Sequence, residues 1–258
     1  QITSNNIAKK DFDWSTTFNL SHYKTKIVNV GLYDANGNPV DDIGSRWFIG
    51  QPISVNYDYR FIGIWQITDP SNPNGQQDPN YRYSIPGYMK YHDKDGVNDI
   101  TPADKEIIGS AIPKVTMGMT NTFRYKNFDL SFFLRGTIGN DILNATRMAY
   151  AQSGFLPGTN ALDDPLTYTL SETPRFSNYY LEKGSFMRLD NLTLGYKIKA
   201  LNGIRVYFTA QNLFVITKYK GLDPEVPMDS GDGLTPGVEP REFYPKARTF
   251  SVGLNLNF

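Results

Sequence analysis

The 258-residue sequence lacks cysteine and has no net charge, since 26 Lys and Arg residues balance 26 Asp and Glu residues. The absence of cysteine excludes a disulfide scaffold, a thiol nucleophile and cysteine-ligated zinc or iron–sulfur sites. Without a net positive charge, no global field attracts nucleic acid. We therefore expect no nucleic-acid partner.

The sequence also lacks a run of about 20 apolar residues, the length that a transmembrane helix requires. Its mean hydropathy is −0.43. This value still allows a transmembrane β-barrel, because barrel strands alternate lipid-facing apolar residues with polar residues that face the lumen. The chain begins at Gln1 with no basic and apolar leader, so we expect a mature or internal piece of a protein.

Histidine is scarce as well, with only His22 and His92 in the chain. They are too far apart in sequence to argue for a Ser-His-Asp arrangement or a histidine metal site. The sequence also nominates no carboxylate pair for glycoside hydrolysis. We therefore expect no enzymatic activity.

What the sequence does contain is alternation of apolar and polar residues, the pattern of half-buried β-strands. The clearest segments are 115–125, 128–135, 192–198, 204–211 and 249–258. Weaker segments at 11–21, 25–32, 46–50 and 55–66 bring the total to about nine strands. The fold class predicted is all-β.

Short and long connections alternate along the chain. Short turns are predicted near 22–24, 126–127 and 199–203, and long connections at 33–44, 67–112, 139–184 and 218–246. Outer-membrane barrels have short periplasmic turns and long extracellular loops. The pattern therefore predicts an antiparallel transmembrane β-barrel segment, with a soluble, lopsided barrel as the architectural alternative.

Five segments of the sequence are recognisable. Residues 185–198 (SFMRLDNLTLGYKI), 205–226 (RVYFTAQNLFVITKYKGLDPEV) and 243–258 (FYPKARTFSVGLNLNF) resemble the C-terminal part of the SusC/RagA family of TonB-dependent outer-membrane transporters. Two upstream segments resemble the same family. Residues 49–66 contain a strand with the motif Gly-x-Pro and a strand that ends in Gly-Ile-Trp. Residues 88–142 contain an acidic loop followed by a hairpin. The resemblance spans about residue 11 to residue 258.

This resemblance implies a barrel of about 22 strands around a plug, lidded by a SusD-like surface lipoprotein and energised through TonB. Such proteins import oligosaccharides, glycans or peptides. Residues 1–258 then correspond to the C-terminal part of the barrel, without the plug. The implied partners are the remaining barrel and plug, the lipoprotein, TonB through the absent N-terminal part, and lipid. The implied location is the outer membrane of a Gram-negative bacterium, with the C-terminus in the periplasm.

One acidic segment aligns with a 12-residue calcium loop. Asp93, Asp95, Asp99 and Asp104 take positions 1, 3, 7 and 12 of that loop, and calcium prefers six to eight oxygen ligands. Gly96 at position 4 and Val97 at position 5 depart from the pattern. The segment is either a structural calcium site, the sole cofactor expected, or a solvated turn in which Asp side chains bond their own backbone.

Two further groups belong to the predicted loops. A second acidic stretch, with Asp223, Glu225, Asp229 and Asp232, is predicted to be an exposed loop. Aromatic residues that could contact substrate or a lid are Tyr81, Tyr83, Tyr88, Tyr150, Phe155, Tyr168, Phe176, Tyr179 and Tyr180. Each of these aromatic residues could equally pack one loop against another.

The last strand carries a second interpretation. Phe250, Val252, Leu254, Leu256 and Phe258 alternate with polar residues up to an aromatic C-terminal residue. This arrangement resembles the signal by which the outer-membrane assembly machinery recognises barrel proteins. A closing strand with one lipid-facing side would show the same alternation.

Two functions remain open from the sequence. The first is a wall section of a TonB-dependent nutrient importer. The alternative is a soluble or surface-attached β-sandwich module that binds carbohydrate with the help of calcium at 93–104. A requirement for detergent separates them, because a lipid-facing apolar band is insoluble in plain buffer.

Overall fold

The structure is a computed structural model that describes residues 1–53, 55–66, 87–97, 100–151, 156–158, 160–164, 175–201, 204–225, 237–239, 244 and 246–256. The described residues form one short α-helix, α1 (Ala145–Tyr150), two single-turn 3-10 helices (Pro102–Asp104 and Lys199–Leu201) and thirteen strands. In chain order the strands are β1 (Ile2–Lys9), β2 (Phe12–Ser21), β3 (Val55–Asp58), β4 (Phe61–Ile64), β5 (Met89–Tyr91), β6 (Glu106–Ser110), β7 (Val115–Tyr125), β8 (Phe128–Ile138), β9 (Asp141–Leu143), β10 (Leu181–Lys183), β11 (Phe186–Ile198), β12 (Ile204–Thr217) and β13 (Thr249–Asn255).

Seven of these strands form one antiparallel sheet in the order β1-β2-β7-β8-β11-β12-β13. The connections within its three hairpins are short, at 10–11, 126–127 and 199–203. The long connections, 22–114, 139–185 and 218–248, all leave from the opposite end of the sheet. The predicted alternation of short and long connections is therefore confirmed.

One face of this sheet is apolar. Directly opposed residues in antiparallel strands lie on the same face, so the register defines rows of side chains across the sheet. Two adjacent rows on this face are Phe12, Tyr125, Phe128, Tyr196, Val206 and Leu254, then Trp14, Phe123, Leu130, Leu194, Phe208 and Val252. Much of this face is uncovered, since Val252 is 77% exposed and Leu254 62% exposed.

The opposite face is polar. One of its rows consists of hydroxyl residues only: Ser15, Thr122, Ser131, Thr193, Thr209 and Ser251. Within this row the hydroxyl oxygens of Thr193 and Thr209 lie 3.2 Å apart. The sheet is thus amphipathic over most of its width, with an apolar face on one side and a polar face on the other.

Aromatic side chains border the apolar face next to the short turns. The rings of Phe12 and Tyr125 pack edge to face at 6.4 Å, and those of Phe128 and Tyr196 lie 4.6 Å apart. Tyr125 and Phe128 are each about half exposed. Such a band is typical of the membrane–water interface of a β-barrel.

The long connections hold the remaining strands and most of the buried apolar side chains. The strands pair as β3–β6, β4–β5 and β9–β10. A buried cluster contains Tyr59, Met89, Tyr91, Leu143 and Tyr180, and it joins the pair β4–β5 to the pair β9–β10. In the described part of the chain, no helix has the length and apolarity needed to cross a membrane.

The first third of the chain differs most from the prediction. The hairpin predicted at 22–24 is wrong, because β2 pairs with β1 on one side and with β7 on the other. His22 therefore lies at the end of the long connections, with its Nδ1 2.5 Å from the Lys114 carbonyl oxygen. Strand β1 was not predicted, since its sequence, ITSNNIAK, is polar on both sides.

The segments 25–32 and 46–50 form isolated bridges and no strand, at Ile27 in the first and at Trp47 and Ile49 in the second. Between them, Asp34 Oδ1 accepts hydrogen bonds from the Asn36 and Asn38 amides, both at 2.8 Å. Such local bonds compete with strand pairing. The segment 55–66 forms two short strands outside the large sheet, which has seven strands where about nine were predicted.

A glycine on the polar face allows an ion pair to cross a strand. Arg205 of β12 donates from Nε to Asp129 Oδ1 of β8 at 2.9 Å, over Gly195 of the intervening β11. A Cβ atom at Gly195 would lie 2.5 Å from Asp129 Oδ1 and from Arg205 Nε. Contacts this short require the ion pair to move.

We expect Gly195→Val to displace this ion pair and to destabilise the folded barrel by about 1–3 kcal/mol, the usual range for overpacking. The heat or denaturant needed to unfold the protein in detergent micelles measures this change. Ser251→Val, at an exposed position on the same face of the sheet, is the control and should change stability little. Equal unfolding of the Gly195→Val variant and the parent would contradict the crossing geometry.

Candidate functional site on the polar face and its loops

Two arginines lie side by side on the polar face near the long connections. Arg135 of β8 and Arg188 of β11 are directly opposed in the register. The Arg188 side chain is only 3% exposed. Two cations this close, one of them buried, are stable only with carboxylate partners.

The connection after β12 supplies most of these partners. Arg135 Nη2 donates to Glu225 Oε2 at 2.8 Å, and Arg188 Nη2 donates to Asp223 Oδ1 at 2.6 Å. Arg188 Nε also lies 2.8 Å from Glu225 Oε2, without the alignment of a hydrogen bond. Arg135 pairs in addition with Asp190. These contacts fasten the β12–β13 connection to the polar face.

Glu225 is the centre of this cluster. Burial tends to raise the pKa of Glu225, but hydrogen bonds from Arg135 and Lys246 outweigh burial and hold this pKa below its usual value. The Lys246 Nζ atom lies 2.9 Å from Glu225 Oε2. Glu225 is therefore ionised at neutral pH and binds three cations.

The exposed loop predicted for the second acidic stretch is wrong for its first two members. Asp223 is 4% exposed, and the Glu225 side chain is 14% exposed. The physical reason is the demand for counter-charge at Arg135 and Arg188, which lie far away in sequence. Asp229 and Asp232 lie outside the described residues.

The aromatic candidates are divided between described and undescribed residues. Tyr180 has no exposed surface, and Phe176 and Tyr179 pack against the same buried cluster. Tyr88 is half-buried and Tyr150 is 41% exposed. Tyr180 thus joins loops in this arrangement, while Tyr150 is partly exposed. Tyr81, Tyr83, Phe155 and Tyr168 lie outside the described residues.

Arg147 of α1 links several loops. Its Nε donates to Asp164 Oδ2 at 2.5 Å and its guanidinium carbon lies 4.3 Å from the centre of the Tyr179 ring. The Tyr179 hydroxyl donates to Asp164 Oδ1 at 2.6 Å. Burial and this hydrogen bond raise the pKa of Tyr179, so its hydroxyl stays protonated. Asn144 caps the helix by accepting from the Arg147 amide at 2.8 Å.

The acidic loop brings three of its four predicted ligands together. One carboxylate oxygen each from Asp93, Asp95 and Asp104 lies within 4.8 Å of the other two. Asp104 is fully buried, and its oxygens accept from the amides of Lys94 at 2.8 Å and Thr101 at 2.7 Å. Asp99 lies outside the described residues.

The C-terminal strand places Phe250, Val252 and Leu254 on the apolar face. Leu256 follows the strand and is 49% exposed, and Phe258 lies outside the described residues. The role of these residues as an assembly signal stays a prediction.

The arginine cluster and Arg147 were not predicted from the sequence. A usable signal existed for Arg188, which stands between Met187 and Leu189 in a strand pattern. A charge flanked by apolar residues on a strand points to the opposite face and calls for a partner. No comparable signal marks Arg147.

Relatives cover the whole chain, although no protein-family model matches it. The chain is 34% identical over 289 residues to TonB-dependent receptor P3 of Formosa agariphila, which covers 100% of this chain and 28% of the relative. It is 32% identical over 276 residues to TonB-dependent receptor SusC of Bacteroides thetaiotaomicron, with 100% and 26% covered. The chain thus spans little more than a quarter of these relatives.

The fold also matches solved structures. A structure of the RagAB peptide transporter superposes with a TM-score of 0.70 and 22% identity, covering 98% of this chain and 28% of that chain. The RagAB peptide importer in its open-open state gives a TM-score of 0.68 at the same identity. The chain therefore belongs to the SusC/RagA family of TonB-dependent receptors and has the fold of a portion of their barrel.

Proposed function

We propose that the chain forms a wall section of an outer-membrane nutrient importer. The observation that carries this proposal is the two-faced sheet, with exposed apolar rows on one side and a row of hydroxyl residues on the other. The apolar face suits lipid and the polar face suits a water-filled conduit. A β-sandwich module would need a second sheet over the apolar rows, and the described residues place none there.

The orientation follows from the connections. Barrels place short turns in the periplasm and long loops outside the cell. The end of β13 lies at the side of the short turns, so the C-terminus is periplasmic in this proposal. The arginine cluster and the buried aromatic cluster then stand at the extracellular mouth, where substrate enters.

The partners follow from the edges and loops. Strands β1 and β13 each pair with one neighbour among the described residues, and an unpaired edge is not tolerated in lipid. The remaining barrel strands would cover both edges, and a plug would fill the lumen. The long loops would meet a SusD-like lipoprotein, and TonB would act through parts outside residues 1–258.

The substrates proposed are oligosaccharides, glycans or peptides. The hydroxyl row suits either class, because serine and threonine both donate and accept hydrogen bonds. Peptide uptake is the function named for the similar RagAB structures.

We expect Val252→Lys to lower the amount of folded receptor in the outer membrane. A lysine on the lipid face near the bilayer centre costs about 2–4 kcal/mol. Heat-modifiable migration of the receptor in membrane fractions measures this loss. Ser251→Lys, the neighbouring residue on the polar face, is the matched control and should assemble normally.

Equal assembly of the Val252→Lys and Ser251→Lys receptors would contradict a lipid-facing row. If neither variant reached the outer membrane in folded form, β13 would tolerate no lysine on either face. Phe208→Lys and Thr209→Lys on β12 therefore repeat the comparison on a second strand. The proposal requires the same difference between faces on both strands.

We also propose that the acidic loop binds calcium to order the extracellular segment 93–104. Three carboxylates within 4.8 Å of one another match the spacing of oxygens around one calcium ion at about 2.3–2.6 Å. Asp93 and Asp95 accept backbone amides as Asp104 does, from Gly96 at 2.6 Å and from Val97 at 3.1 Å. All three carboxylates therefore already order this loop, and calcium would add to these bonds.

Calorimetry with calcium should detect one site with a Kd of about 10⁻⁴–10⁻³ M, typical of extracellular modules. Asp93→Asn should weaken it about tenfold or more. The control is Asp34→Asn, in an acidic turn whose carboxylate also bonds backbone amides. Absence of calcium binding to the folded receptor would overturn this site.

A further inference from the structure

Three aromatic rings lie on the polar face of the seven-stranded sheet. They belong to Phe133 of β8, Phe186 of β11 and Tyr207 of β12. Two arginine guanidinium carbons each lie 5.9 Å from the centre of the Phe186 ring, and that of Arg205 lies 5.1 Å from the centre of the Tyr207 ring. Phe133 has no such cation among the described residues. Its ring is therefore the one of the three that can stack on a ligand without displacing an arginine.

The Phe133 ring lies against the sheet because a glycine is its diagonal neighbour. Thr120 of β7 is opposed to Phe133, and Gly118 follows on the same face of β7. A Cβ atom at Gly118 would lie 3.1 Å from Cε2 and 3.3 Å from Cζ of the ring. The ring thus occupies the space of the side chain that Gly118 lacks. One side of the half-buried ring rests on β7, and the other side faces away from the sheet.

Hydrogen-bonding side chains flank this ring in its own row. Thr120 of β7 is directly opposed to Phe133 on one side, and Asn191 of β11 is directly opposed to it on the other. Gln211 of β12 comes next, opposed to Asn191. Opposed side chains in a sheet have Cβ atoms about 4.5–5.5 Å apart. A ligand on the Phe133 ring therefore has hydrogen-bonding groups within reach on both sides.

These flanking groups have unused hydrogen-bonding capacity. Asn191 Oδ1 accepts from the Thr193 hydroxyl at 3.2 Å, but no described residue accepts from Asn191 Nδ2. The Thr120 hydroxyl and the Gln211 carboxamide likewise bond to no described residue, and Gln211 is exposed. The buried unpartnered polar atoms of the described chain include none of these groups. Each therefore keeps surface that a ligand can contact.

The row that contains Phe133 is free of charge. The next charged side chain on this face toward the long connections is Arg135, which is already paired with Asp190 and Glu225. An isolated charge is therefore not on offer here, and the row favours a neutral ligand. Its members are Thr17, Thr120, Phe133, Asn191, Gln211 and Thr249.

A sugar ring matches this arrangement. Its C–H groups on one side carry a slight positive charge and fit the negative face of an aromatic ring, while hydroxyl groups around its edge both donate and accept hydrogen bonds. An extended peptide is bound instead by pairing with a free strand edge. Strand β8 has no free edge, because it is paired with β7 and β11. The site therefore favours a sugar over a peptide.

We propose that Phe133 is a stacking platform for one sugar ring of a neutral oligosaccharide, with Thr120, Asn191 and Gln211 binding the hydroxyl groups of that ring. The inference rests on the proposed import function, because that function places the polar face in the conduit. It selects glycans from the substrate classes proposed above.

Calorimetry on the folded full-length receptor, in a detergent without a sugar headgroup, tests this inference. The probes are neutral hexasaccharides of glucose, galactose, mannose or xylose, and an uncharged hexapeptide is the comparison. At least one hexasaccharide should bind. Its affinity should fall about five- to tenfold in the Phe133→Leu receptor, because leucine keeps the apolar bulk and removes the aromatic face.

Phe132→Leu is the matched control. Phe132 is the adjacent residue of β8 and lies on the apolar face, opposed to Leu192, so the variant should bind the same hexasaccharide as the parent does. Phe133→Tyr keeps the ring and should also bind normally. If Phe133→Leu does not fold, Gln211→Ala provides the second test, since it shortens an exposed side chain and should weaken binding about two- to tenfold.

The inference is overturned if no hexasaccharide binds, if Phe133→Leu leaves the affinity unchanged, or if Phe132→Leu lowers it equally. Hexapeptide binding that depends on Phe133 would assign the site to peptides and would overturn the inference as well. These outcomes leave the wall proposal standing, since that proposal fails only if lysine is tolerated equally on both faces of β12 and β13.

Discussion

Antiparallel pairing fixes which side chains share a face, and everything else in this chain depends on that constraint. Six neighbouring strands place apolar residues opposite one another from Phe12 to Leu254, and hydroxyl residues opposite one another from Ser15 to Ser251. A shift of one residue in any pair would put polar groups on the apolar side. The register of the strand pairs therefore determines both the apolar face and the polar face of the sheet.

The polar face also organises the loops. Because Arg135 and Arg188 are neighbours on that face, their charges require carboxylates, and Asp223 and Glu225 bring the β12–β13 connection down to the sheet. The same connection carries Tyr219, whose hydroxyl donates to the buried Glu239. Ion pairs near the ends of β8 and β11 thus position the β12–β13 connection over the polar face.

The sequence predicted the second half of the fold well and the loops poorly. Alternation alone identified β7, β8, β11, β12 and β13, because each has a continuous apolar side. It missed β1, whose Asn5 and Asn6 interrupt any such pattern. It also assigned a strand to 25–32, where the Gly31 amide instead donates to Asn29 Oδ1 at 2.7 Å. Arg147 could not have been found, since its partners Asp164 and Tyr179 lie in other segments of the chain.

The central claim is that one face of the sheet meets lipid and the other meets water. Spin labels can be carried by single cysteines at Leu194, Phe208 and Val252 on one face and at Thr193, Thr209 and Ser251 on the other, since this chain has no cysteine of its own and any cysteine in the rest of the receptor can be replaced. In the receptor reconstituted into bilayers, the first three labels should respond to lipid-soluble oxygen and the last three to a water-soluble nickel complex. Equal access of the nickel complex to both sets would contradict the account.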